Sequence, residues 1–260
     1  MKNYPQKQFE RIDDLQRKGL KIIQNTQKFC FGIDAVLLAH FAAKDLNCQD
    51  KVVDLGTGTG IIPLLLWGMV GCQKILALEI QKDMVEMAKR SVALNGLQEK
   101  IEIIEGDIKN PPPELIPNTY DAIVTNPPYM ESNKGIVNPT EGKAIARHEI
   151  LCNLEDILYT AKRLLKPKGK FSMIHRSQRL VDILSIMRKV GIEPKKLRLV
   201  YPSPRKTSNL VLVQGNKGGK PHLVVEKPLY IYQQNGEYTQ EIYEIYGDGK
   251  QKQKGAVNRD

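Results

Sequence analysis

Lys51-Val52-Val53-Asp54-Leu55 runs directly into Gly56-Thr57-Gly58-Thr59-Gly60 and then into an apolar stretch over residues 61–70. The first five residues read as a short buried strand, the glycines as a sharp turn, and the apolar stretch as a helix opened by that turn. Glycine lets the backbone take left-handed angles and approach a ligand closely, and a helix N-terminus offers free N–H groups to electronegative atoms. The spacing is G-x-G-x-G. It is not the G-x-G-x-x-G dinucleotide fingerprint, and no G-K-[ST] follows to make a phosphate-gripping P-loop. A second glycine cluster at residues 215–220 runs into Pro221 and fails the same tests.

The pattern continues outward from this turn. Residues 74–79 (KILALE), 101–105, 120–126 and 170–175 read as further strands. Residues 83–95 (with Gly96 as a C-cap), 154–165 and 180–190 carry apolar residues at helical spacing. Short β-rich runs alternating with helices predict an α/β fold with a doubly wound, mostly parallel sheet. Residues 197–201 and 210–214 follow without a helix between them and suit an antiparallel pair closing one edge. Residues 130–146 are polar and break the alternation, which suggests a mobile loop after the fourth strand. Residues 230–246 hold five tyrosines, and the chain then dissolves into GDGKQKQKGAVNRD, a tail expected to be disordered.

A length of 260 residues and 29.4 kDa allows one large α/β domain or two small ones, and no linker or repeat divides the chain. With 41% hydrophobic and 26% charged residues the composition is that of a globular protein. The apolar stretch at 61–71 is about half the ~20 residues of a membrane span and contains Pro63. The N-terminus has no apolar secretory core. The four cysteines form no C-x-x-C pair, which points to reduced thiols and no metal site. Together these features predict a cytoplasmic protein without a membrane partner, and no obligate protein partner is evident. The net charge is +10, and residues 162–206 alone carry 14 Lys and Arg against Asp182 and Glu193. A segment of that sign attracts polyanions, and its bland alternative is a set of solvated helix faces.

A strand followed by D-x-G-x-G-x-G and a helix resembles motif I of the class I S-adenosylmethionine-dependent methyltransferases. The resemblance implies a seven-stranded, Rossmann-like sheet with an antiparallel edge strand, and S-adenosylmethionine as cofactor with S-adenosylhomocysteine as product. It also makes Asp54, Gly56, Gly58 and Gly60 cofactor residues. Two further features fall in register. Glu79 ends the second strand, where a carboxylate can accept both ribose hydroxyls. Asp107 follows the third strand, where the family's acidic residue binds the adenine amino group and an apolar neighbour, here Ile108, packs on the ring.

Asn126-Pro127-Pro128-Tyr129 ends the fourth strand, on the edge where doubly wound sheets bind ligands. An ordinary proline turn would look the same, but each residue here suits one task. An exocyclic amine on an aromatic ring is a poor nucleophile because its lone pair is delocalised. Two acceptors aimed at its hydrogens, the Asn126 side-chain oxygen and the Pro127 carbonyl, would localise that pair. Prolines hold the acceptors in place, and Tyr129 can stack on a planar target drawn out of its neighbours. The motif resembles that of methyltransferases acting on adenine N6, guanine N2 or glutamine N5. The resemblance also implies that Asn126 is a cofactor-binding residue.

The segment F-x-F-G-x-D-A-x-L-L at residues 29–38 narrows the resemblance to the bacterial tRNA(Val) adenine-N6-methyltransferases, which modify adenine 37. In that group the N-terminal segment folds over the cofactor, which makes Phe31, Gly32 and Asp34 candidate contacts. The implied organisation is an N-terminal segment at 1–50, a methyltransferase domain at 51–215 and a C-terminal β-rich extension with its tail at 216–260. The implied reaction is methyl transfer to adenine N6 in tRNA, with Arg147, His148, Arg176 and Arg179 as candidate RNA contacts. Three alternatives stand beside it: a glutamine N5-methyltransferase of a release factor, a ribosomal guanine-N2 methyltransferase, and a degenerate RNA-binding module.

Overall fold

The computed structural model describes residues 7–27, 30–128 and 153–247. Tyr129, Arg147 and His148, the loop expected over 130–146 and the tail from 248 lie outside the described residues. The chain begins with a hairpin of β1 (Glu10–Asp14) and β2 (Lys21–Asn25), turned by Gln16, Lys18 and Gly19 at positive φ. Both strands dock on the helix over residues 82–94: Glu10 of β1 accepts from both terminal nitrogens of Arg90 (2.5 and 2.8 Å), and β2 is buried at its centre. Ile22 and Ile23 are buried, and the Ile23 N–H donates to Ser91 Oγ (3.0 Å). Helix α1 (Ile33–Ala43) is apolar on nearly every side, which only a helix enclosed by other elements tolerates.

The doubly wound portion follows: β3 (Lys51–Leu55), α2 (Ile61–Val70), β4 (Lys74–Glu79), α3 (Lys82–Leu94), β5 (Ile101–Glu105), β6 (Tyr120–Thr125), α4 (Leu154–Leu164), β7 (Leu165–Arg176) and α5 (Leu180–Val190). Then come β8 (Ile192–Tyr201), β9 (Leu210–Lys217), the two-residue strands β10 (Val224–Val225) and β11 (Leu229–Tyr230), and helix α6 (Gln240–Tyr246). Seven long strands lie in the order β8-β9-β7-β6-β3-β4-β5, and β10 and β11 both pair with β8 beyond the expected edge, giving a nine-stranded sheet. Among the long strands β9 alone runs against the others, pairing antiparallel with both β7 and β8. The antiparallel pair therefore closes the edge, with the reversed strand one place in from it.

Side chains alternate between two cores, as a sheet covered on both faces requires. Val52, Ile75, Val124 and Leu212 face α1, α2, α3 and α6, whereas Val53, Leu78, Ile123 and Val213 face α4 and α5. Helix α4 starts on a capping box in which Asn153 Oδ1 accepts from the Asp156 N–H (2.9 Å) and Asp156 accepts from the Asn153 N–H (3.1 Å). Strand β7 begins five residues before the expected Lys170. Lys168 at positive φ and a register shift against β6 absorb Pro167 and Gly169, so the break in pattern does not end the strand.

Candidate active site

The turn after β3 is built by three glycines at φ of 77°, 57° and 84° (Gly56, Gly58 and Gly60), angles that a side chain resists. The N–H groups of Gly56 and Thr57 donate to the Leu78 carbonyl (2.9 and 3.0 Å), which ties the turn to the end of β4. Gly60 begins α2 and lies against α3; a Cβ there would come within 3.3 Å of Ala88 Cβ. No side chain caps α2 and its first turn carries no acid, so its N-terminal dipole faces the turn unneutralised.

Asp54 lies beneath this turn at 0% exposure, and neither carboxylate oxygen has a hydrogen-bond donor among the described residues. Burial pushes its pKa up to about 7, and the nearby Glu79 charge adds to the shift. Thr57 opposes the shift from close by, although its hydroxyl forms no regular hydrogen bond either. A buried carboxylate without a donor is costly, and a cationic group entering the turn would satisfy it. Glu79 differs. Its Oε2 accepts from the Gly58 N–H (2.8 Å) and its Oε1 from the N–H groups of Ile80 and Gln81 (3.0 and 2.9 Å). One carboxylate thus braces the glycine turn while Oε2 keeps a lone pair for a ligand hydroxyl.

The neighbouring loops close around the same edge. The Gly106 N–H donates to the Glu79 carbonyl (2.9 Å), bringing the segment after β5 beside β4. Asp107 Oδ1 accepts from the Lys109 N–H (2.9 Å) in a tight turn, and Thr160 Oγ1 of α4 donates to the Ile108 carbonyl (2.7 Å). The Ile108 side chain reaches the glycine turn, with Cδ1 4.0 Å from where a Gly56 Cβ would stand. On the other side of β3, Thr125 Oγ1 donates to the Leu55 carbonyl (2.8 Å) and fixes the end of β6. Asn126 follows at once. Its Oδ1 is buried and has no hydrogen-bond partner among the described residues, Pro127 is buried and Pro128 is exposed.

Asp54, Gly56, Gly58, Gly60, Glu79, Asp107, Ile108, Asn126, Pro127 and Pro128 are thus brought to the C-terminal ends of four neighbouring strands. Phe31, Gly32 and Asp34 sit at the start of α1. The other end of that helix is tied below by the Lys196–Asp45 ion pair (2.6 Å) and by Lys170 donating to the Asp45 carbonyl, so its start lies toward the same edge. The Phe31 N–H donates to Gln24 Oε1 (2.9 Å), and its ring shares a small cavity with Arg17, Leu65 and Tyr246. Asp34 Oδ1 accepts from the Ala35 N–H (3.0 Å). Arg176 ends β7 and Arg179 lies three residues on, paired with Asp182 (2.7 Å). Sequence reading missed Thr57, which lies inside the quoted motif, and Thr125 and Thr160, whose anchoring bonds leave no pattern in the chain. Among the described residues no set of three His, Cys, Asp or Glu is gathered for a metal ion, and no helix is long and apolar enough to cross a membrane.

Residues 31–190 match the family model described as methyltransferase small domain. A tRNA1(Val) (adenine(37)-N6)-methyltransferase of Porphyromonas gingivalis is 31% identical over 185 residues, covering 70% of this chain and 72% of that protein. One of the same name from Dyadobacter fermentans is 28% identical over 214 residues, covering 82% and 85%. Among solved structures, a predicted O-methyltransferase from Agrobacterium tumefaciens superposes with a TM-score of 0.66 at 23% identity, over 83% of this chain and 96% of that one. A geranyl diphosphate methyltransferase in complex with SAM gives 0.53 at 14% identity, over 70% and 85%, a likeness of fold alone.

Proposed function

Because the chain belongs to the methyltransferase small domain family, we propose that it transfers a methyl group from S-adenosylmethionine to the exocyclic N6 of an adenine in tRNA, adenine 37 of tRNA(Val) being the expected site. The observation that carries this reading is the buried, unpartnered Oδ1 of Asn126, one strand away from the equally unpartnered Asp54. The donor supplies an electrophilic methyl on a sulfonium and also carries an ammonium, a ribose diol and an adenine. Asp54 in its ionised form offers the counter-charge an ammonium needs, at the mouth of the glycine turn. Glu79 Oε2 would accept from a ribose hydroxyl while Oε1 stays bound to the Ile80 and Gln81 N–H groups, and Asp107 with Ile108 would frame the adenine.

Asn126 Oδ1 accepts a hydrogen of the target amine and, with the Pro127 carbonyl, localises the nitrogen lone pair toward the methyl. The acceptors are preset by Thr125 below and the prolines above, so little reorganisation is needed as charge develops. Tyr129 is assigned the stacking role on its place in the motif alone. Residues 51–215 carry the reaction in this reading, and residues 1–50 and 216–260 flank it. The place of action is the cytoplasm, where tRNA would be met. Arg147, His148, Arg176 and Arg179 are assigned to the RNA backbone.

The test is single-turnover methylation of tRNA with both substrates saturating, so that binding defects do not register as slow chemistry. Asn126→Ala is expected to cut the rate by about 10²–10³, the usual cost of one preplaced acceptor. A rate within a few-fold of wild type would remove Asn126 from the chemistry.

A further inference from the structure

The tyrosines of the C-terminal extension form a column. Tyr232 stacks on Tyr238 (centroids 5.1 Å apart, planes at 15°), and Tyr238 stacks in turn on Tyr246 (6.0 Å, 26°), with Tyr243 edge-on to Tyr238 (5.9 Å, 80°). The inner end, Tyr246, is seated in the cavity beside Phe31. The column is held at its base. Ile242 and Ile245 are buried, and Arg198, itself buried, grips Glu241 through both terminal nitrogens (2.7 and 2.8 Å). The outer end is different: Tyr232 is 40% exposed.

This outer ring stands in a continuous line with the catalytic edge. The Tyr232 N–H donates to the Pro202 carbonyl (2.8 Å), and Arg205 of the β8–β9 turn reaches Gln234 (3.4 Å). The same turn binds Ser177, next to Arg176: the Ser177 N–H donates to the Asn209 carbonyl (3.2 Å) and Ser177 Oγ to the Ser208 carbonyl (2.7 Å). Four strand spacings separate β6, which leads into Asn126, from β11, which leads into Tyr232, a span of about 19 Å at the usual strand separation. The surface between them presents Arg205 and Lys206, both exposed.

We infer that Tyr232 is a stacking platform for an unpaired nucleobase of the RNA substrate, a few nucleotides along the strand from the base held at Asn126. An aromatic ring backed by two others loses little freedom when a base completes the stack, and every base offers a π face. Arg205 and Lys206 are placed for the phosphates of the intervening nucleotides. The loop's own carboxylate, Glu237, accepts from Asn235 Nδ2 (3.2 Å) and would repel a phosphate, so this outer end suits the base and not the backbone. The inference rests on the RNA-methylating reading above.

The test measures affinity for an anticodon stem-loop RNA and for full tRNA, at several salt concentrations. Tyr232→Ala is expected to weaken binding about five- to hundredfold with an unchanged salt slope, since a stacked base releases no counterions. Tyr232→Phe should restore binding to within about twofold, because the ring remains. Cofactor affinity and the melting temperature of Tyr232→Ala report whether the column survives. Wild-type residue replacement by the photoreactive p-benzoylphenylalanine at position 232 gives a second readout, crosslinking to a loop nucleotide. If wild type methylates tRNA but Tyr232→Ala binds it normally, or position 232 gives no RNA crosslink, the platform is wrong and the enzyme reading stands. If wild type neither binds nor methylates tRNA, both fall together.

Discussion

Asp54 shows how one residue joins a stability cost to a function. Burial pushes its carboxyl pKa up to about 7, because the charged form is disfavoured there and no donor among the described residues repays the loss. Its folded pKa lies above its unfolded value, so this group opposes folding increasingly as pH rises from about 4 to 7 and by a constant amount above that. A ligand ammonium reverses the preference. Cofactor affinity is therefore expected to rise with pH up to about 7 and then level off, since below that pH the carboxyl must first release a proton. Calorimetric titration from pH 5.5 to 8.5 measures this, and Asp54→Asn should flatten the profile while weakening binding at pH 8. A wild-type profile that is flat through pH 7 would remove Asp54 from cation binding. The sequence placed Asp54 in the motif. It could not disclose the missing donor, which depends on the Thr57 hydroxyl forming no regular hydrogen bond in the folded turn.

At the scale of elements, the site depends on a strand, a turn and a helix meeting at fixed angles. Gly60 is the hinge of that arrangement: its φ of 84° suits glycine, and α3 approaches closely enough that Ala88 would crowd any side chain. Gly60→Ala is expected to lose about 1–2 kcal/mol from the left-handed backbone alone, and to tilt α2 away from the cofactor edge. Chemical denaturation checks the first effect and cofactor titration the second. Elements with a clean period were legible: β3, α2, β4, α3 and α5 fall within a residue or two of where the apolar spacing put them. The N-terminal hairpin was not. Its first strand, ERIDD, is mostly polar and half-exposed, so it shows no alternation; the hairpin is held on α3 by Glu10 of β1 pairing with Arg90 and by β2 bonding to Ser91 and Asn95. The strands β10 and β11 are two residues each, too short to carry any period.

For the whole molecule the charge of +10 has a direction, since residues 162–206 are strongly basic and include the ends of β7 and β8 at the cofactor edge. Affinity for tRNA should fall steeply with salt, by about 0.9 log units per log unit of salt for each duplex phosphate neutralised. Replacing Arg176 and Arg179 by Glu is expected to weaken binding across tRNA sequences and shallow that slope, leaving cofactor affinity unchanged; filter binding from 50 to 300 mM salt would read it. A slope near zero in the wild type would turn the assignment away from nucleic acid. Much of this was readable along the chain. Glycines that must turn left, apolar residues at period two or 3.6, and an Asn-Pro-Pro-Tyr at a strand end are local constraints, and local constraints leave their mark on neighbouring residues. They were enough for the doubly wound sheet, the methyltransferase family and the row of residues along its edge. The three-dimensional fold alone decided which buried oxygens lack a donor, how Glu79 divides its bonds between the turn and a ligand, and that Tyr232, Tyr238 and Tyr246 stack into a column reaching the start of α1. Those features arise between residues far apart in the chain, where burial and partner geometry are set by long-range packing and no spacing in the sequence records them.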